Sequence, residues 1–307
     1  MKKFVQFLQV SFFAICLNAY SQSNLREEND LFCDNPATVK ILNLSNKQMT
    51  KLPPEIGNFI NVEKIFLQNN QLVSIPIEIT NLTKLKELYL TNNQIQRFPI
   101  EICKLVSLER LELNKNKMDY VSPSVAKLNK LKKLDLSFNK ISDLPVEMAG
   151  MINLTELNFS NNTIKAFFPG IENLRNLKVL NAENNKIDIF PIEIGALSNL
   201  VTLKVNQNRI ANLPDEIGNL VKLTYLNVEK NLIKKLPATV GKLVNLTYLD
   251  LDVNQMRTLP EELNNLVVLK ELYLATNPWV SFPESLKPLI EKMLYGQSDE
   301  VKKIISK

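Results

Sequence analysis

Apolar and polar residues follow one repeating pattern through most of this 307-residue chain. Residues 85–99 (LKELYLTNNQIQRFP) show the pattern most clearly. If Leu85 is position one, then positions 1, 4, 6, 11 and 14 are apolar, position 9 is Asn and position 15 is Pro. The pattern recurs every 23 residues without insertion or deletion, which indicates a solenoid built from one repeated coil. Position 4 falls at Leu42, Ile65, Leu88, Leu111, Leu134, Leu157, Leu180, Leu203, Leu226, Leu249 and Leu272.

The apolar residues at positions 4 and 6 predict a short β-strand, because alternate side chains of a strand point to opposite faces. One such strand cannot bury its apolar face alone. Parallel stacking of the copies, about 4.8 Å apart, would produce a continuous core. Asn occupies position 9 in every copy except the first, where Lys47 stands. Its side-chain amide can satisfy backbone groups of the turn that would otherwise be buried without partners.

The second half of each copy predicts a short helical turn on the opposite side of the coil. Pro at position 15 fixes φ, and apolar residues then follow three apart, as at Ile79, Leu82 and Leu85. We therefore expect an α/β solenoid of about 11 repeats. Its parallel sheet would line a concave face, short helical or 3₁₀ segments would form the convex side, and a cap would close each end.

The two ends depart from the repeat. Residues 1–21 combine two lysines, an apolar run and small residues near the end, which predicts a signal peptide cleaved before Gln22. Lipid attachment at Cys16 is the alternative. Residues 22–38 are expected to form an amino-terminal cap and residues 39–284 the repeats. Residues 285–307 have apolar residues at helical spacing and are expected to form a helical cap.

Composition narrows the possible chemistry. The chain has no His, which excludes Ser-His-Asp and Cys-His catalysis and zinc sites that contain histidine. It has no glycine-rich phosphate loop, and its three Cys are isolated. We therefore expect no enzymatic activity, no cofactor and no metal. Cys33 and Cys103 lie about three coils apart, roughly 14 Å, which is too far for a disulfide, so both are expected to be unpaired thiols.

The formal net charge is +5, but Lys and Arg alternate with Asp and Glu instead of forming a basic stripe, which argues against nucleic-acid binding. The outward positions of the strands carry two aromatic groups, and aromatics beside charges are typical of binding hot spots. A solvated sheet whose aromatics suit strand propensity is the alternative. The candidate partner contacts are Phe66, Tyr89, Arg110, Lys133, Tyr225, Glu229, Tyr248, Asp250, Asp252 and Tyr273.

Over residues 39–284 the chain resembles the leucine-rich repeat proteins. Its LPxEIxxLxxL form, preceded by NPATVKILNLSN at residues 35–46, is especially similar to exported bacterial members. The resemblance implies a protein-binding scaffold that presents its concave face. Trp279 follows Asn277-Pro278 as in disulfide-capped extracellular members, but no cysteine cluster follows, so we expect an apolar cap. The cysteine-bearing catalytic domain that some bacterial effectors append to such repeats is also missing from this sequence.

These observations predict a non-enzymatic, exported, monomeric scaffold that binds a protein partner, a host or cell-surface protein, through its concave face. It would be secreted, periplasmic or held at the cell surface, with no transmembrane segment. Two alternatives remain open. One is an intracellular adaptor or regulator of signalling, and the other is a surface protein that binds carbohydrate or calcium.

Overall fold

The computed structural model describes residues 35–293 and 299–305. The predicted signal peptide and its cleavage site, the lipidation alternative at Cys16, the thiol of Cys33 and most of the predicted amino-terminal cap lie outside the described residues. The boundaries assigned to these segments therefore stay predictions.

Eleven three-residue strands form one parallel sheet in which each strand pairs with its neighbours in chain order. The pairing joins equivalent positions of adjacent copies, such as Leu88 with Leu111 and Leu249 with Leu272. This register confirms the predicted solenoid. The strands are β1 (Ile41–Asn43), β2 (Lys64–Phe66), β3 (Glu87–Tyr89), β4 (Arg110–Glu112), β5 (Lys133–Asp135), β6 (Glu156–Asn158), β7 (Val179–Asn181), β8 (Thr202–Lys204), β9 (Tyr225–Asn227), β10 (Tyr248–Asp250) and β11 (Glu271–Tyr273).

Short 3₁₀ turns form the other side of the coils. Most begin directly after the proline of position 15, whose backbone is extended, as at Pro76 with φ −73° and ψ 156°. The ring fixes φ and contributes no amide donor at the point where the turn starts. The turns are Pro36–Thr38, Pro54–Asn58, Ile77–Asn81, Ile100–Lys104, Pro123–Lys127, Val146–Gly150, Ile171–Asn173, Ile192–Ala196, Asp215–Asn219, Ala238–Lys242, Glu261–Asn265 and Glu284–Leu286.

In two copies the proline stands one residue later, at position 16, and the 3₁₀ turn begins in a different way in each. In one, the side chain of Ser122 caps the turn by accepting a hydrogen bond from the amide of Ser124. In the other, Gly170 lies before a shortened turn with φ +85°, and a Cβ there would approach that of Ala149 to 2.6 Å. Glycine suits this site because it alone has neither the steric penalty nor the clash.

The apolar positions of all coils join in one continuous core between the sheet and the turns. Most of its leucines and isoleucines have no exposed surface. The ring of Phe167 packs edge to face on Phe159 and Phe190, with centroids 6.0 and 5.7 Å away. Cys103 is a buried free thiol, and burial raises its pKa to about 11, so it behaves as a small apolar group.

Apolar side chains close the carboxyl end of the core. The indole of Trp279 is buried and donates to the carbonyl of Leu274 at 2.6 Å, with Phe282 packed against it. Two helices follow, α1 (Lys287–Lys292) and α2 (Asp299–Ile305). Ile290 and Val301, one from each helix, are fully buried. The end of the repeat array is therefore sealed by hydrophobic packing, as the lack of following cysteines implied.

Candidate partner-binding surface

The asparagines of position 9 hold adjacent coils together. Asn93 is typical: its side-chain nitrogen donates to the carbonyls of Leu67 and Leu90, both at 3.0 Å. Its oxygen accepts from the amide of Leu72 at 3.0 Å. Equivalent donor bonds recur along the array as far as Asn277. Because each asparagine serves backbone groups of two coils, this ladder is structural, and the outward side chains of the strands are left for other roles.

The residue before each ladder asparagine, at position 8, has a left-handed backbone in all eleven copies. Asn tolerates this conformation better than other side-chain-bearing residues. It fills the position in five copies, and Asn69, for example, donates to Asn46 at 3.0 Å. Two β-branched residues, Val253 and Thr276, occupy it near the carboxyl end, with φ of 54° each. These two positions therefore carry more backbone strain than the positions filled by asparagine, as does the bulky Phe138, whose φ is 53°.

The first aromatic group, here called the amino-terminal group, comprises Lys64, Phe66, Glu87, Tyr89, Arg110 and Glu112. Phe66 and Tyr89 stack with centroids 4.8 Å apart. The ammonium of Lys64 lies 5.4 Å from the ring centre of Phe66, and the guanidinium of Arg110 lies 5.2 Å from that of Tyr89. Both aromatic rings therefore already have a cation of this chain over them.

The charges of the amino-terminal group are also paired. Lys64 binds Glu87 at 2.8 Å, and Arg110 binds Glu112 at 2.5 Å. The next strand continues the pattern with Lys133 and Glu156 at 2.5 Å. The two cations predicted to contact a partner, Arg110 and Lys133, are thus neutralised within the chain.

Tyr89 corrects the expectation of an exposed aromatic. It is only 9% exposed, because Phe66 and Arg110 from the neighbouring strands cover it. Burial and a hydrogen bond from its hydroxyl to Glu87 at 2.5 Å raise its pKa to about 12. Tyr89 therefore offers a partner little uncovered ring surface, whereas Phe66 stays partly exposed.

The second group, here called the carboxy-terminal group, comprises Tyr225, Tyr248 and Tyr273 with Glu229, Asp250, Asp252 and Glu271. The rings of Tyr225 and Tyr248 stack with centroids 4.1 Å apart, close to the separation of about 5 Å that stacked strands predict. Tyr273 follows at 5.4 Å from Tyr248. All three are partly exposed, and Lys204 lies 5.3 Å from the ring centre of Tyr225. The rings form a row across three adjacent strands.

Asp250 anchors this row instead of facing outward. It is 7% exposed, and its carboxylate accepts from the hydroxyl of Tyr248 at 3.1 Å and the amide of Asn227 at 3.2 Å. The backbone amide of Asp252 donates to it as well, at 3.1 Å. Asp250 therefore supports the tyrosine row through hydrogen bonds within the chain, and its contact with a partner stays a prediction.

Glu229 and Asp252 are more open. Burial raises the pKa of Asp252 to about 6, although one of its oxygens accepts the amide of Ala275 at 2.5 Å. Burial, followed by the charge of Asp250, raises the pKa of Glu229. Among residues 35–293 and 299–305, none of the group's four carboxylates forms an ion pair. This end of the sheet therefore carries carboxylates that form no ion pair within the described residues, although the charge of Lys230 acts on Glu229.

The structure keeps the two groups apart. Tyr89 lies on β3 and Tyr225 on β9, six strands away, or about 29 Å at the usual strand spacing. A shallow groove between them is lined by outward residues of β4 to β8, including Arg110 and Lys133. Beside it, the amide oxygen of Asn206 is buried without a hydrogen-bond partner within the described chain. A partner could therefore occupy either group alone or span both.

Sequence reasoning did not single out Lys64, Glu87, Lys204 or Glu271 as site residues. A signal for two of them was present, because the pentapeptide KELYL occurs at both 86–90 and 270–274. In both copies the tyrosine hydroxyl donates to the glutamate two residues earlier. The repeat thus places one residue pair in two different surroundings.

Two further observations concern metal-binding clusters and membrane-spanning helices. Within the described residues there is no group of three or more Cys, Asp or Glu side chains arranged to hold a metal ion. The same part of the chain contains no helix that is long and apolar enough to span a membrane.

Comparison with known proteins gives the family. The sequence profile described as "Leucine-rich repeat region" matches residues 78–189 and 190–292, and the one described as "Leucine rich repeat" matches residues 37–95. No match was found among the curated proteins. Proteins with this fold are typically binding scaffolds and are in general not enzymes.

Among solved structures, a leucine-rich repeat protein of Leptospira interrogans is 28% identical, with a TM-score of 0.52, covering 85% of this chain and 83% of its own. FLRT2, solved in a complex with Latrophilin 3 and Unc5D, is 28% identical, with a TM-score of 0.71 and coverages of 89% and 85%. The plant peptide hormone receptor RGFR1, in complex with RGF2, is 31% identical, with a TM-score of 0.66. That match covers 81% of this chain but 46% of the receptor. The chain belongs to the leucine-rich repeat family.

Proposed function

We propose that this protein is an exported, non-enzymatic scaffold that binds a protein partner on its concave face, with the carboxy-terminal group as the anchor. The observation that carries the proposal is the row formed by Tyr225, Tyr248 and Tyr273. The inward neighbours Leu226, Leu249 and Leu272 already supply the core, so the fold does not need these rings. Partly exposed tyrosines are typical of binding hot spots, and the carboxylates beside them form no ion pair within the described residues.

The family supports a binding role. FLRT2 and RGFR1 were solved in complexes with protein or peptide partners. Export is supported by the predicted signal peptide at residues 1–21 and by the resemblance to exported bacterial members. Sequencing the amino terminus of the native protein tests this part: a start at Gln22 is expected, and an intact Met1 would favour the intracellular alternative.

The anchor is tested by replacing Tyr225, Tyr248 and Tyr273 together with Ser. A partner is first captured on the wild-type protein from cell-surface extracts, and its affinity is then measured with purified components. The triple variant should bind at least about 2 kcal/mol more weakly, roughly thirtyfold. Its thermal unfolding should remain cooperative, because the inward leucines are unchanged.

The matched control replaces Phe66 and Tyr89 with Ser in the amino-terminal group. This variant should keep its affinity for the partner to within about threefold. Unaltered binding by the folded triple variant would contradict the assignment. It would move the site to the amino-terminal group or to the convex side.

A further inference from the structure

The same five residues, Lys-Glu-Leu-Tyr-Leu, occur once through β3 and once through β11. In both places the tyrosine hydroxyl donates to the glutamate, at 2.5 Å from Tyr89 to Glu87 and at 2.8 Å from Tyr273 to Glu271. The local conformation is therefore alike. Any difference between the two tyrosines comes from the strands beside them.

Tyr89 has a neighbour on each side. The preceding strand supplies Phe66, stacked at 4.8 Å, and the following strand supplies Arg110, whose guanidinium lies 5.2 Å from the ring centre. Within the described sheet Tyr273 has a strand neighbour on the preceding side alone, Tyr248, because β11 is the last of the described strands. The side that Arg110 covers at Tyr89 is thus uncovered by any strand at Tyr273, and Tyr273 stays partly exposed.

The surroundings of Tyr273 are negative. Its hydroxyl pKa is raised, first by the hydrogen bond to Glu271 and further by the charges of Asp250 and Asp252. No lysine or arginine lies over its ring in the described part of the chain. The chain as a whole carries a net charge of +5, so this acidic end is a local exception. A cation would be attracted here by both the carboxylates and the ring.

We infer that the uncovered side of Tyr273 binds an arginine side chain of the partner, in the position that Arg110 takes at Tyr89. The inference rests on the proposed function and specifies the chemistry of its anchor. A guanidinium is planar, so it can stack on the ring while its N–H groups reach Glu271 and Asp252. The ammonium of lysine cannot make both contacts in this way.

The test uses the tripeptide acetyl-Gly-Arg-Gly-amide, its neutral citrulline counterpart, which has nearly the same shape, and its lysine counterpart. The protein is labelled with 3-fluorotyrosine and followed by ¹⁹F NMR, with its tyrosines assigned by single Tyr→Phe variants. The arginine peptide should shift the Tyr273 resonance and bind at least tenfold more tightly than the citrulline peptide. The double variant E271Q/D252N should weaken this binding at least tenfold. Equal affinity for the citrulline or lysine peptide, or no effect of the double variant, would overturn the inference.

The amino-terminal group provides matched variants. Arg110→Ala removes the guanidinium over Tyr89, leaving the ammonium of Lys64 at 5.7 Å from the ring centre, and should create a second site, seen as a new response of the Tyr89 resonance. Glu87→Gln in the otherwise unchanged protein should leave the affinity at Tyr273 unaltered. A response at Tyr89 in the Arg110→Ala variant without any response at Tyr273 would contradict the site at the end of the sheet.

The inference and the proposed function can fail separately. In one outcome, the partner loses affinity for the triple serine variant yet binds E271Q/D252N as tightly as wild type. That result would overturn the arginine site and leave the protein-binding role intact. An arginine response at Tyr273 combined with unchanged partner binding by the triple serine variant would instead overturn the proposed anchor.

Discussion

The two aromatic groups lie on the same backbone and differ in what surrounds them. At the amino-terminal group each ring has a cation of the chain over it, and each of these cations has a carboxylate, as for Arg110 with Glu112. At the carboxy-terminal group the rings and carboxylates are present, but within the described residues only Tyr225, at the far end of the row, has a cation over its ring, that of Lys204. The first group satisfies its own charges, whereas the second leaves negative charge for a partner.

The comparison shows that burial at the sheet surface depends on both flanking coils. Tyr89 and Tyr273 have the same immediate sequence and the same intrastrand hydrogen bond. Tyr89 is covered because a following strand exists, and Tyr273 is partly open because none does. In this chain, therefore, the same five residues leave a tyrosine more exposed in the last described strand than in an interior one.

The largest expected effect is a loss of stability when a ladder asparagine is replaced. It tests whether the amino-terminal and carboxy-terminal halves of the repeat array have equivalent backbone hydrogen bonding. Asn93→Ala and Asn231→Ala should each lower the free energy of unfolding by about 1–3 kcal/mol, because each leaves backbone groups of two coils without partners. Urea denaturation measures the loss. Similar losses would show that the halves differ only at the surface. Gln96→Ala, at an exposed position of the same coil as Asn93, is the control and should change stability by less than about 0.5 kcal/mol.

The second prediction concerns pH. The pKa of Asp252 is about 6 in the free protein, and a bound cation should lower it towards its ordinary value, because it favours the charged form. Affinity for the partner should therefore be roughly tenfold lower at pH 5 than at pH 7.5. Asp252→Asn should flatten the profile. The pKa of Glu87 is lowered by Lys64 and Tyr89 against the effect of burial, so Glu87→Gln should leave the profile unchanged.

The third prediction addresses backbone strain beside the carboxy-terminal group. Val253→Asn should raise the free energy of unfolding by about 1 kcal/mol, because asparagine tolerates the left-handed conformation that valine resists. The reciprocal change, Asn92→Val, should lower it by a similar or larger amount, since Asn92 also donates to Asn69 at 2.9 Å. Thermal unfolding compares the pair. Equal stability of Val253→Asn and wild type would show that the strain is relaxed elsewhere.

The smallest expected effects are changes in the free energy of unfolding, and they should have opposite signs in the amino-terminal and carboxy-terminal groups. Glu87→Gln removes a carboxylate paired with Lys64 and should destabilise the protein at pH 7 by less than about 1 kcal/mol. Asp252 has a higher pKa folded than unfolded, so its protonation favours the folded state and this stability is lost as pH rises through about 6. Asp252→Asn should therefore stabilise at pH 7, by less than about 1 kcal/mol after solvent screening. Effects of the same sign would show that the groups are not electrostatically distinct.

Much of the fold could be predicted because a fixed period of 23 residues identifies each residue's neighbour in the adjacent coil. The pairing of Leu249 with Leu272 and the stacking of Tyr225 on Tyr248 both follow from that number. The 3₁₀ turns after proline followed from local chemistry, since the ring fixes the backbone where each turn begins.

The burial and hydrogen bonding of each residue at an outward position could not be predicted from the 23-residue period. Tyr89 and Asp250 stand at outward positions yet are buried, because neighbouring side chains turn over them and donate or accept hydrogen bonds. The left-handed residue of position 8 was also unforeseen. Asn suits it in some copies, but Val253 adopts it because hydrogen bonds between adjacent coils hold the backbone there. The contact residues of the two groups stay predictions until a partner is measured.

The asparagine ladder has a consequence for how such a chain can change in length. Neighbouring coils are linked by the same hydrogen bond throughout, from a ladder asparagine to the carbonyl 26 residues earlier. Removal of 23 residues between equivalent points would therefore bring together two coils that can form the same hydrogen bond. A gene could therefore lose or gain a coil by unequal recombination without new packing having to arise. Every such event between β4 and β8 would move the two aromatic groups by about 4.8 Å relative to each other. The distance between the two aromatic groups can thus change during evolution only in steps of one strand spacing.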